Sequence, residues 1–313
     1  MSEIKLKGLT PAQTARLLPE NLILLGWRGS VAHGMYVPST DPDSIDDKDV
    51  MGVYVGAIEH YLGFGRSDVN EKWEGVYDCV FYEVRKMVSL LLNCNPNVLS
   101  LLWLKDNSII YKSPLGHRLQ ENRDIFVTKK AYHSFNGYAY GQFKRMTHMN
   151  QEALAEIQTR KAQLLSLGCS ERDGEIVLPA GASEDLIDKR GQYDELRGKY
   201  YKGYMGDKRR ELVERYGYDT KNAAHLIRIL RMGIEFLTDG TLYVEREDKH
   251  ELMDIKRGRW SLEKVKAEAE RLFALASEAF VRSPLPPEPD RQRAERLVID
   301  IVSDHHKLRR VRT

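Results

Sequence analysis

Two acids spaced Asp47-x-Asp49 enter an alternating run, Gly52-Val53-Tyr54-Val55, and a Gly29-Ser30 turn lies upstream of them. Residues two apart on a strand face the same side, so this spacing would set both carboxylates on one face. Side-by-side carboxylates repel unless a cation lies between them. Mg²⁺ suits the position, because it takes one or two carboxylates and completes its shell with water and phosphate oxygens. The Gly-Ser turn follows an apolar run, Leu22 to Gly26, and leads into Val31-Ala32-His33, which can open a helix. Free backbone N–H groups at such a turn form a cradle for phosphate. A solvated acidic loop and an ordinary turn are the plain alternatives, and the two features in this order favour metal and phosphate chemistry.

Several elements must position these groups. Leu22 to Gly26 reads as a short buried strand, and Val76 to Tyr82 as a strand of aromatic and β-branched residues interrupted by Asp78. Alternation puts Asp78 on a face with Val80 and Tyr82, where a carboxylate needs a partner such as a metal site or else caps a strand end at the surface. Glu83, on the opposite face, is the alternative third acid. Residues 63–75 read as a polar, glycine-containing connection. Helical spacing of Val84, Met87, Val88, Leu91 and Leu92 predicts a helix from Glu83 to Cys94, and Asn95-Pro96 caps the next one. Thr10-Pro11 starts a short helix to about Leu18.

Residues 115–167 are dominated by helix formers, with a long helix expected over 128–167. Residues 168–182 read as a loop and 241–244 as a short strand or hairpin. Ser261 caps a helix to about Arg282, Ser283 to Pro289 is an extended spacer, and a last helix begins near Arg291. The shift from mixed α/β to α predicts two domains, 1–112 and 113–313.

Lys221, His225 and Arg228 fall within about 60° of one another on a helix, opposite Leu226, Ile227, Leu230, Ile234 and Leu237. Three basic groups without an acid among them suggest an anion; an ordinary surface helix is the alternative. Upstream, residues 189–221 carry 10 Lys or Arg against 6 Asp or Glu, with six tyrosines. That mixture fits either a phosphate-backbone contact with base stacking or a solvated connector with helical salt pairs.

Of 313 residues, 42% are hydrophobic and 30% charged, which excludes a disordered chain. Cys79, Cys94 and Cys169 have neither the number for a disulfide framework nor zinc spacing, so a reducing cytoplasm is expected. No apolar run approaches ~18–20 residues, and the N-terminus lacks a signal-type core, so neither a membrane span nor export is expected. A net charge of +2 does not by itself call for a nucleic-acid partner. Oligomeric state is not readable.

The stretches Gly29-Ser30-Val31-Ala32-His33-Gly34 and Asp46-Asp47-Lys48-Asp49-Val50-Met51-Gly52-Val53 resemble the DNA polymerase beta nucleotidyltransferase superfamily. Together with Arg85 to Met87, Asn95 to Trp103 and the Lys221-His225-Arg228 block, they look like its bacterial and phage branch associated with RNA repair. The resemblance implies an α+β fold: a polymerase-beta-like mixed sheet with flanking helices, then a mainly helical C-terminal half that completes the nucleotide and acceptor site. It implies that Asp47, Asp49 and Asp78 are catalytic and hold Mg²⁺, two ions by analogy, with Mn²⁺ as a substitute. Gly29 and Ser30 would grip the β- and γ-phosphates, while Lys221, His225 and Arg228 would contact the triphosphate of an NTP such as ATP. The implied reaction moves a nucleoside monophosphate to a hydroxyl and releases pyrophosphate, with an RNA 3′ end as acceptor. Alternatives are a protein or small-molecule acceptor, or a non-catalytic nucleotide-binding module. Two departures stand out: the segment Met35 to Ile45 is long and acidic, and Ser100 stands where an acid is usual.

Overall fold

The buried run Leu22–Trp27 forms strand β1 of a five-stranded sheet in the computed structural model, which describes residues 4–38, 40–41, 47–63, 69–147, 151–172, 174–200 and 207–308. The other strands are β2 (Lys48–Tyr54), β3 (Val69–Glu74), β4 (Tyr77–Glu83) and β5 (Ile109–Lys112), in spatial order β3-β4-β2-β1-β5. Strands β2 and β4 run parallel, and the remaining pairs are antiparallel. The three inner strands are the apolar ones because both their faces are covered, whereas β3 at the edge is almost wholly exposed.

One face of the sheet packs a core of Leu6, Leu17, Leu22, Leu25, Val50, Tyr77, Cys79 and Phe81. Helix α1 (Pro11–Leu17) contributes Leu17, and its start is fixed by a capping box in which Thr10 Oγ1 accepts from Gln13 N–H at 3.2 Å. The one-turn helix α2 (Gly29–Ala32) follows β1 directly. Helix α3 (Ile58–Leu62) follows β2, and α4 (Val84–Leu92) follows β4 with Val84, Met87, Val88 and Leu91 buried. Past Lys112 the described elements are helical, apart from a hairpin of three-residue strands. The mixed sheet with flanking helices and the helical second half are therefore as expected.

The chain clusters into two units, one of Met1–Ala139, Arg228–His250 and Glu270–Thr313, the other of Tyr140–Ile227 and Glu251–Ala269. The second has its own small core around Ile157, Leu164, Ile176 and Tyr193. There Arg197 is buried between Glu214 at 2.9 Å and Glu175 at 3.0 Å. Along the helix Glu184–Tyr200, Lys189, Arg190 and Lys199 each pair with an acid one turn away.

Three local expectations need correction. Residues 63–75 contain strand β3, whose charged sequence shows no apolar alternation because it has nothing to bury. The stretch 168–182 contains the hairpin Ser170–Arg172 with Glu175–Val177, turned at Gly174 with φ +76° and pinned by buried Ile176. Residues 241–244 are irregular, since the Val244 carbonyl bonds the His33 ring and not a strand. Within the 128–167 stretch the described helices are Ala131–Thr147 and Gln151–Ser166, and residues 148–150 lie outside the described residues.

Candidate active site

Parallel pairing of β2 with β4 sets Asp49 directly beside Asp78 in register. Both are partly open to solvent, at 26% and 30% side-chain exposure, so they sit at the sheet surface and not in its core. Neighbours across a sheet face the same side, which brings two carboxylates together that are far apart in sequence.

What holds them is Arg28, the last residue before α2. Its guanidinium lies 3.2 Å from Asp78 and 3.7 Å from Asp49, and its backbone N–H donates to the Asp49 carbonyl at 2.9 Å. Sequence reasoning passed over Arg28. A signal was there, an arginine at the mouth of the Gly-Ser turn, but its pairing depends on strand order. Replacing Arg28 with methionine should leave the two carboxylates repelling each other. We expect a stability loss of about 1 kcal/mol in EDTA that narrows when Mg²⁺ is added. Thermal melts with and without the ion measure both.

Gly29 follows with φ +58°, a conformation that glycine adopts without strain. A methyl group there would overlap Asp49 Oδ2, so the turn passes as close to the carboxylate as a backbone can. Ser30 lies in the first turn of α2, whose N-cap Arg28 makes no side-chain cap bond. The first amides of a helix have no partner within it and so point outward as donors. Gly29→Ala should cost about 1–2 kcal/mol of stability through the left-handed backbone. The displaced Asp49 should lower turnover by roughly 10²-fold, read by melting and single-turnover kinetics.

Asp47 stands just ahead of β2, partly exposed, outside the strand that carries Asp49. Glu83, the alternative third acid, is fully buried and caps α4: its oxygens accept from the N–H groups of Arg85 at 3.0 Å and Lys86 at 3.3 Å and from the Tyr61 hydroxyl at 2.7 Å. Its acceptors are committed to structure. Below the pair, burial, reinforced by the Asp78 charge, pushes the Cys79 thiol up to about 12, so it remains a protonated core residue. Ser100 is likewise buried, donating to the Asn97 carbonyl at 3.1 Å.

Two carboxylates side by side form a hard oxygen donor set, and the guanidinium between them shows that the position draws a cation. Among the described residues no three His, Cys, Asp or Glu gather as a ligand set. Two adjacent carboxylates are hard oxygen donors, the kind that Mg²⁺ and Mn²⁺ take together with water and phosphate oxygens.

Lys221 and His225 are partly buried on the helix Thr220–Asp239, within the second unit, whereas Arg228 belongs to the first. Arg228 is only 8% exposed, and its guanidinium has no hydrogen-bond or ion-pair partner among the described residues. Burial, with the Arg246 charge beside it, pulls its pKa down to about 9. Arg246 is itself paired with Glu235 at 2.8 Å and with Asp248 at 2.8 Å, and Arg231 also holds Asp248 at 2.8 Å. Three arginines thus surround two carboxylates, and Arg228 is the one left over. The same unit has a cavity of about 480 Å³ lined by Trp103, Arg123, Tyr243, Arg246 and Lys249 among others; Asp49 and Asp78 are not in its lining. Among the described residues no helix is long and apolar enough to cross a membrane.

Residues 2–165, just over half of the chain, match the family described as RlaP, RNA repair pathway DNA polymerase beta family. No curated protein matches the chain.

Proposed function

This chain belongs to the RNA repair pathway DNA polymerase beta family, and from that membership we propose that it transfers a nucleoside monophosphate from an NTP to the 3′ hydroxyl of an RNA. The observation that carries the proposal is the in-register Asp49–Asp78 pair with Gly29 packed against it. Phosphoryl transfer asks a protein for positioning and charge and needs no covalent intermediate, which is what these residues supply. Asp49 and Asp78, with Asp47 at the mouth of the strand, would hold Mg²⁺. When bound, the ion would polarise the α-phosphate and offset charge on the leaving pyrophosphate.

The chain's own groups do the rest. The amides of Gly29 and Ser30 donate to the β- and γ-phosphates. Asp78, the outer carboxylate of the pair, aligns the acceptor hydroxyl and accepts its proton. Arg28 holds the carboxylates together in the free protein and turns to the incoming phosphates when the nucleotide arrives. Arg228 meets a phosphate oxygen with a paired guanidinium face.

The test is incubation of the protein with each α-labelled NTP, Mg²⁺ and a mixture of RNA and protein acceptors. Label on RNA 3′ ends supports the proposal. Label on protein moves the acceptor class, and NTP binding without label on any acceptor identifies a nucleotide-binding module.

A further inference from the structure

We propose that Trp73 is the stacking platform for the terminal base of a single-stranded RNA acceptor, placed beside the catalytic carboxylates by sheet register; the acceptor role rests on the transfer reaction proposed above. Trp73 on β3 pairs with Asp78 on β4, and Asp78 pairs with Asp49 on β2. Directly opposite residues share a face, so Trp73, Asp78 and Asp49 form one row across the sheet. Strands lie ~4.8 Å apart, so the indole stands one strand beyond the carboxylate assigned to the acceptor hydroxyl. That is the order in which a nucleotide presents its parts: hydroxyl, sugar, then base.

The ring is 60% exposed, the open end of a row whose other members are half as exposed or less. A mostly exposed indole on a strand that buries almost nothing contributes little to the core. Its one polar atom is nevertheless tied down: Nε1–H donates to the Gly75 carbonyl at 3.1 Å, across a turn that Gly75 makes at φ +60°. This bond uses the indole's one polar atom and restrains a ring that remains 60% exposed.

The surroundings favour a base over a protein surface. Trp73 sits among Asn70, Glu71, Lys72 and Glu74 on an exposed edge, with Val69 and Val76, 39% and 50% exposed, at the ends of the same stretch, so the apolar area is one ring and two small side chains and stays far below a protein interface. Stacking one base on an aromatic side chain is worth about 1–3 kcal/mol and tolerates any base.

Fluorescence tests it on the full-length protein. Titration with a short oligoribonucleotide bearing a 3′ hydroxyl, without NTP, should quench tryptophan emission in the wild type, and the quench should vanish in Trp73→Phe. Trp73→Ala should weaken oligonucleotide binding about 5- to 150-fold, and Trp73→Tyr should restore most of it. In transfer assays Trp73→Ala should raise KM for RNA by a similar factor and leave KM for NTP unchanged. Equal RNA affinity in Trp73→Ala, or a quench that persists in Trp73→Phe, overturns the proposal. A wild type that transfers to RNA with Trp73→Ala unaffected overturns the platform and leaves the reaction standing. A Trp73-dependent quench in a protein that labels no acceptor supports the platform and overturns the reaction.

Discussion

Asp49→Asn should abolish nucleotidyl transfer, by about 10³-fold or more, in a protein that melts within roughly 1 kcal/mol of the wild type. Asparagine keeps the volume of aspartate and much of its hydrogen bonding, so the change isolates one negative charge. In the free protein that charge faces Asp78 on one side and Arg28 at 3.7 Å on the other. Removing it relieves a repulsion and weakens an ion pair, and at a quarter exposure the two nearly offset. In the proposed reaction, the same charge would be one of the carboxylates holding the cation. The loss should therefore appear in kcat and in metal affinity, with little change in KM for acceptor. Asp78→Asn should behave likewise. Asp47→Asn distinguishes a two-carboxylate site from a three-carboxylate one, since Asp47 lies off the strand. Full activity in a correctly folded Asp49→Asn protein would sink the mechanism.

The features legible from sequence are those that burial writes into the chain. β1, β2 and β4 are apolar because both their faces are covered, and the parity of β4 placed Asp78 on the open face and Glu83 on the closed one. The strand β3 was not legible for the complementary reason. Val-Asn-Glu-Lys-Trp-Glu buries almost nothing, so no alternation marks it, and with it went the position of Trp73 beside Asp78. Arg28 was hidden differently. Its partners are 21 and 50 residues away, and only the order β4-β2-β1 brings them to its guanidinium.

Spacing also misjudged depth on the helix Thr220–Asp239. A period of 3.6 shows that Lys221, His225 and Arg228 share a side, but not whether that side meets water. Leu226, Ile227, Leu230 and Leu237 are buried as expected, Ile234 is only partly buried, and Arg228 is buried with the apolar side. A cation in that position costs stability that a mere surface face would not.

Arg228→Met should therefore raise stability and lower nucleotide affinity at once. Burial pulls the Arg228 pKa from its ordinary 12.5 down to about 9, so folding opposes the charged form. Between pH 9 and 12.5 the unfolded chain binds the proton and the native chain releases it, so this part of stability rises with pH through about 9. Below about 9 the native side chain is charged and its burial cost is fully present. At pH 7.5 an unbranched apolar side chain of similar length removes that cost, and replacing buried charges by apolar groups has stabilised proteins by about 1–4 kcal/mol. The gain over the wild type should shrink as pH climbs past 9, and melting curves at pH 7.5 and 10 read it directly. NTP binding should weaken by about 30-fold or more, ~2 kcal/mol, because a desolvated guanidinium–phosphate pair is lost. A variant that melts higher and still binds NTP normally would remove Arg228 from the nucleotide site. One that melts lower would show that Asp248 or another anion already satisfies the guanidinium in the free protein.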